Sequence, residues 1–153
     1  MDALTTLDAV QRLGIAMIAG ILLGFERERA DKPAGLRTYM LVTEGAALFM
    51  ICAIMLSDQI VRAGGVSDPG RIASTVVQGI GFIAAGVILT TGREIVGLTT
   101  AAGLWVATAI GLLIGAGFYP IAIIATVATV VGLVVLHHFE RRVIDNGSSS
   151  DDG

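Results

Sequence analysis

Charged residues are scarce in this sequence, and their scarcity excludes an ordinary soluble domain. Asp, Glu, Lys and Arg make up 15% of the 153 residues, while 54% of the residues are hydrophobic and the mean hydropathy is +0.81. A soluble domain typically carries about 25% charged residues, which form its polar surface. The chain lacks the residues for such a surface, and we infer that lipid is its solvent.

Motifs of catalysis and ligand binding are also missing. The sequence contains no nucleophile–base arrangement, no paired histidine and carboxylate at metal-ligand spacing, and no phosphate-binding glycine loop. Its single cysteine, Cys52, excludes an internal disulfide. We therefore expect a protein that is not an enzyme, that holds no metal or cofactor, and that does not bind nucleic acid.

Apolar segments long enough to cross a membrane dominate the chain. A helix rises about 1.5 Å per residue and the hydrocarbon core is about 30 Å thick, so a span needs about 20 mostly apolar residues. Backbone groups in lipid must be bonded internally, and because the runs are continuous rather than alternating, helices are favoured over a barrel. The sequence predicts an all-α integral membrane bundle of about five helices, at roughly 4–25, 39–57, 73–91, 98–116 and 118–138.

The predicted helices leave no room for a separate soluble domain. We assign residues 1–140 to the transmembrane bundle. Residues 141–153 end in a low-complexity run of Ser, Asp and Gly, which is typical of a disordered tail.

Small residues recur at four-residue spacing, which lets helix backbones approach closely in lipid. Gly20 and Gly24 form such a stripe in the first span, and Gly103, Ala107 and Gly111 form another in the fourth. We expect both stripes to be helix-packing faces. Packing within one chain is the simpler interpretation, and a homo-oligomer contact through one stripe is the alternative.

The distribution of basic residues predicts an orientation, because cytoplasmic loops collect Lys and Arg. With five spans and the N-terminus outside, seven of the ten basic residues lie on the cytoplasmic side and three outside. Four of the seven lie in the first loop. We therefore expect the N-terminus outside and the C-terminus in the cytoplasm.

The first loop carries the densest group of charges. Opposite charges alternate along residues 26–32, and Pro33 and Gly35 interrupt any helix. A guanidinium at the mouth of the second span can clamp a carboxylate or a phosphate. The loop either only enforces topology or forms a docking surface in which Glu26, Arg27 and Arg37 are mutually hydrogen-bonded. The candidate cluster comprises Glu26, Arg27, Lys32, Arg37 and Thr38.

Polar residues within the spans are rare and costly. Glu44 lies inside the second span and needs a partner or a proton, since a carboxylate at membrane depth is expensive. Arg37, seven residues earlier, and Gln78, in the third span, are the two candidate partners. Asp8 and Arg12, four residues apart, are expected to pair with each other.

Three stretches of this sequence carry extended motifs: GILLGFERERADKPAGLRT at 20–38, GIGFIAAGVI at 79–88 and GLTTAAGLWVATAIG at 97–111. In these stretches the chain resembles the MgtC/SapB family of bacterial inner-membrane proteins. The resemblance follows the chain in order over almost the entire hydrophobic portion. Larger members add a C-terminal cytoplasmic ACT-like domain, and this chain is similar to the short form without it.

The resemblance implies a function of one of two kinds. Family members are associated with adaptation to magnesium limitation and, in pathogens, with survival inside macrophages. One expectation is a regulator of ion and energy homeostasis that binds other inner-membrane proteins, including the ATP synthase. The alternative is a transporter or channel for Mg²⁺ or another ion. We favour the regulator, mainly on the resemblance. The spans also offer few of the oxygen ligands that Mg²⁺ requires.

Overall fold

The structure of the chain is a computed structural model, and it describes residues 4–91 and 94–148. The prediction of an all-α bundle with five helices is confirmed. The helices and strands are α1 (Thr6–Arg29), α2 (Leu36–Arg62), α3 (Gly70–Ala85), β1 (Leu89–Thr91), β2 (Glu94–Val96), α4 (Leu98–Ala116) and α5 (Tyr119–Ser148).

Local sequence signals set several helix ends. Thr5 caps α1, because its hydroxyl accepts from the Asp8 backbone N–H while the Asp8 carboxylate accepts from the Thr5 N–H. Glycines flank α4 at positions with positive φ, +94° at Gly97 and +87° at Gly117. A side chain is strained in that conformation, so glycine marks both ends of α4.

The third predicted span is shorter than the sequence indicated. We predicted a helix over 73–91, but α3 ends at Ala85, and residues 89–91 form a short antiparallel hairpin with residues 94–96. The segment after Gly86 is rich in β-branched residues, which favour extended backbone. The 16 residues of α3 therefore extend only about 24 Å.

The last helix is longer than predicted. α5 continues to Ser148. The residues 141–148 that we assigned to a disordered tail therefore lie in this helix, and residues 149–153 lie outside the described part of the chain.

Helices α1, α2 and α4 form the tightly packed centre of the bundle. A Cβ at Gly20 would lie 2.6 Å from the Met40 Cα, and one at Gly24 would lie 2.8 Å from the Leu36 Cα. A Cβ at Gly111 would collide with the Thr43 carbonyl oxygen, and Ala107 is completely buried. Both glycine stripes thus lie where α1 and α4 cross the backbone of α2.

The helices alternate in direction, so the bundle has two ends. We call the end that holds the α1–α2 connection and the hairpin the loop end. Gly24 contacts Leu36 near this end, whereas Gly115 near the opposite end contacts Ala47 and Met50. Helices α3 and α5 pack on the outside of this centre, and most of their surface is exposed.

Candidate functional site at the loop end

A buried ion pair ends α1. The Arg27 guanidinium donates through Nε to the Glu26 carboxylate, and the Arg27 side chain is only 4% exposed. The second carboxylate oxygen of Glu26 is buried and has no hydrogen-bond partner among the described residues. Two charges held away from water depend on each other, because either one alone would be left unpaired.

Helix geometry explains why Arg27 is buried while its neighbours are exposed. Gly20, Gly24 and Arg27 are spaced by four and three residues, so they share the face of α1 that packs on α2. Glu28 and Arg29 point elsewhere and are exposed. The burial of Arg27 was not predicted, although the continuation of the glycine stripe is a signal that could have indicated it.

Tyr39 is a central residue that the sequence analysis missed. It is fully buried in α2, its hydroxyl donates to the Thr100 carbonyl oxygen at 3.3 Å, and it contacts Gly103 of α4. The Thr43 hydroxyl donates to the Tyr39 carbonyl oxygen at 2.8 Å. Tyr39 therefore joins α2 to α4 below the ion pair. The absence of a side chain at Gly103 is what makes room for its ring.

The first loop is held in place by its own contacts. The Glu28 carboxylate accepts from the Leu36 backbone N–H at 3.0 Å and so caps α2. The Lys32 N–H donates to the Arg27 carbonyl oxygen at 3.0 Å, and Ala34 is buried. The exposed charges of the loop are thus presented from a defined backbone.

The other predicted members of the cluster lie apart from the ion pair. Lys32 and Arg37 are exposed and Thr38 is half-buried. The expected hydrogen-bonded cluster of Glu26, Arg27 and Arg37 is not formed in the described structure, because Arg37 does not bond to the Glu26 carboxylate. Arg37 instead lies at the mouth of a groove between α2 and α3.

Neither partner proposed for Glu44 contacts it. Glu44 is half-buried on α2 and has no hydrogen bond or ion pair among the side chains that the structure describes. Gln78 is exposed on α3, so our interpretation of it as a buried partner of Glu44 is wrong. Arg37 is likewise not paired with Glu44 in this part of the chain.

The opposite end of the bundle holds a different arrangement from the one predicted. Asp8 is engaged by Thr5, so it does not form an ion pair with Arg12 in the described structure. Arg12 crosses to α4 and donates to the Gly115 carbonyl oxygen at 2.6 Å. A cation at the C-terminus of a helix is favourable, because carbonyl groups there have no partners within the helix.

The length and apolar composition of the helices define the class of protein. Within residues 4–91 and 94–148, four helices are long and apolar enough to cross a membrane: α1, α2, α4 and the part of α5 up to Leu136. Among the described residues, no three His, Cys, Asp or Glu side chains are grouped so that they could hold a metal ion. The chain is a multi-pass helical membrane protein.

Comparison with known proteins identifies the family. The chain belongs to the MgtC family, whose family model matches residues 13–142. It is 44% identical over 141 residues to the Escherichia coli K12 protein named "Putative magnesium transporter YhiD". It is 40% identical over 128 residues to Protein MgtC of Salmonella typhimurium LT2.

The alignments cover most of this chain but only part of the relatives. They include 92% of the chain and 66% of YhiD, and 84% of the chain and 52% of MgtC. The chain thus spans between about half and two thirds of the length of the curated relatives. No solved structure matches it.

Proposed function

We propose that this protein is a non-catalytic regulator of ion and energy homeostasis in the bacterial inner membrane, and that it acts by binding other membrane proteins. The proposal rests on one contrast. The centre of the bundle among α1, α2 and α4 is closely packed, whereas the first loop is charged and its backbone is held by hydrogen bonds. The centre is packed with fully buried side chains, and the loop presents exposed charges from a fixed backbone.

The filled centre favours binding over conduction. Leu23, Leu104, Ile110 and Ile114 are each no more than 1% exposed, and they lie among α1, α2 and α4. Protein interiors packed in this way leave few voids larger than a water molecule. An ion path along the axis of these three helices would require their side chains to separate.

The loop supplies the surface for a partner. Asp31 and Lys32 are exposed next to the buried ion pair, and the Glu28 carboxylate fixes the start of α2 beside them. A rigid charged surface loses little conformational entropy on binding and selects partners by complementary charge. We place this end in the cytoplasm and the N-terminus outside, as the distribution of basic residues indicates.

Charge reversal at one exposed position tests the proposal. We expect Lys32→Glu to abolish growth at low Mg²⁺ in a strain that depends on this protein, while the protein still inserts at a normal level. A photo-crosslinking residue at position 31 should capture a membrane partner in the wild-type background and lose it with Lys32→Glu.

Val66 provides the matched control, because it is 99% exposed in the connection at the opposite end. Val66→Glu should leave growth and crosslinking unchanged. If Lys32→Glu grows and crosslinks as the wild type does, the loop is not the docking surface.

Magnesium transport is the second candidate, and the name of YhiD is the observation that favours it. Reconstitution separates the two functions. Proteoliposomes that hold the protein alone should take up Mg²⁺ no faster than empty liposomes if the protein is a regulator. Saturable uptake that depends on the protein would support transport instead.

A further inference from the structure

An apolar groove separates α2 from α3. Its volume is about 750 Å³. Leu41, Gly45 and Phe49 of α2 form one wall, and Val76, Gly79 and Ile83 of α3 form the other. Arg37 and Thr38 lie at its loop-end mouth, where α2 begins.

Two glycines line the groove without a close helix contact. A Cβ at Gly45 or at Gly79 would have no atom beyond its own stretch of helix within 4 Å. Gly20 and Gly24 of α1 and Gly111 and Gly115 of α4 are different, because a Cβ there would meet backbone atoms of α2 at 2.8 Å or less. Close helix packing therefore accounts for Gly20 and Gly111 but not for Gly45 and Gly79, whose missing side chains leave space for an occupant.

The groove is charged at one end and apolar along its length. Arg37 is exposed, and no carboxylate pairs with it within the described residues. A cation beside an apolar groove is complementary to an amphiphile with an anionic headgroup. Basic pockets between transmembrane helices bind such headgroups.

We propose that the groove binds one anionic glycerophospholipid from the leaflet at the loop end. Its phosphate lies at Arg37, and its acyl chain lies along the groove past Gly45 and Gly79. This inference does not depend on the regulatory role, since it concerns a lipid rather than a protein partner.

The dimensions of the groove suit a single acyl chain. From Arg37 to Phe49 the groove extends about 18 Å along α2 by helix rise. Its volume of about 750 Å³ falls among small-molecule sites.

Lipid retention by the purified full chain tests the headgroup contact. We expect native mass spectrometry to show retained phosphatidylglycerol in about fivefold excess over phosphatidylcholine with the same acyl chains, the effect of one cation on an anionic lipid. Arg37→Gln should reduce that ratio to about one. A wild-type ratio of one, or an unchanged ratio in the Arg37→Gln variant, would overturn the assignment.

Leucine substitutions at the two glycines test whether the groove holds the lipid. Gly45→Leu and Gly79→Leu should each fill the groove and reduce the retention of both lipids at least fivefold, without lowering the melting temperature. The two substitutions lie on opposite walls, so either one suffices if the other does not fold. Gly132→Leu is the control, because a Cβ at Gly132 of α5 also meets no atom within 4 Å.

Two results would contradict lipid binding in the groove. If both leucine variants retain lipid as the wild type does, the lipid binds elsewhere. If they retain lipid but lose a crosslink to a membrane protein, the groove is a helix-docking site and the lipid proposal fails.

Discussion

Arg27 and Arg29 stand two residues apart in one charged segment, yet only Arg27 is buried. Arg27 continues the face of α1 that packs on α2, and Glu26 alone neutralises its charge among the described residues. Arg29 lies over the exposed ring of Phe25, with its guanidinium carbon 5.6 Å from the ring centre. The two arginines should therefore differ strongly in their effect on stability.

We expect Arg27→Ala to lower the free energy of unfolding by about 3 kcal/mol, because it leaves the Glu26 carboxylate unpaired in a buried position. Arg29→Ala is the matched control and should change stability by less than about 0.5 kcal/mol, as exposed substitutions usually do. Denaturant unfolding in detergent measures both. Equal losses for the two variants would mean that the ion pair adds nothing to stability.

Substitution of Glu44, unlike that of Arg27, should change stability little. No group among the described residues pairs with its side chain, so Glu44→Gln removes no intramolecular ion pair. We expect the melting temperature in detergent to change by less than about 2 °C, which corresponds to less than about 1 kcal/mol for a chain of this size. A larger loss would reveal a partner that the described structure does not contain.

At the scale of the helices, the two crossings on α2 decide how the bundle packs. Gly20 on α1 and Gly111 on α4 both touch the backbone of α2. In lipid the association of helices depends on such close van der Waals packing, because hydrophobic exclusion does not act between apolar surfaces there. α2 therefore holds the other two helices together.

Leucine at either crossing should separate the helices. We expect Gly20→Leu and Gly111→Leu each to destabilise the bundle by about 3 kcal/mol, because the new side chain would overlap backbone that cannot move aside. Gly14→Leu serves as the control on the same helix as Gly20, since a Cβ at Gly14 meets no atom within 4 Å. If all three variants unfold at the same denaturant concentration, the crossings are not close-packed in the membrane.

The whole molecule has its charged loop at one end and the Arg12–α4 contact at the other. Helix α3 is the exception to a uniform bundle, because about 24 Å is short for a hydrocarbon core of about 30 Å. A short span is accommodated when the bilayer thins locally or when flanking residues reach to the interface. The alternating helix directions still place the first loop and residue 66 at opposite ends.

Accessibility of introduced cysteines measures the orientation of the whole bundle. In a Cys52→Ala background, Val66→Cys should react with an impermeant thiol reagent added to intact cells, and Lys32→Cys should react only after the membrane is opened. The expectation rests on the bias of seven basic residues against three. The reverse labelling pattern would invert the orientation, and labelling of both positions in intact cells would contradict the five-span topology.

The sequence alone determined the class of fold, because composition and the lengths of apolar segments reflect the solvent directly. Lipid requires long apolar helices, and the shortage of charge left no alternative. The spacing of Gly20, Gly24 and Gly111 likewise predicted faces for close packing. The three extended motifs led to the family that comparison then identified.

Only the tertiary structure decided which polar groups meet. A pairing such as Arg12 with the Gly115 carbonyl oxygen joins residues 103 positions apart, and local spacing carries no information about it. The same holds for Tyr39 and Thr100, and for the separation of Arg37 from Glu26. Periodicity places a residue on a helix face, whereas the rotation of neighbouring helices decides whether that face is buried and what it contacts.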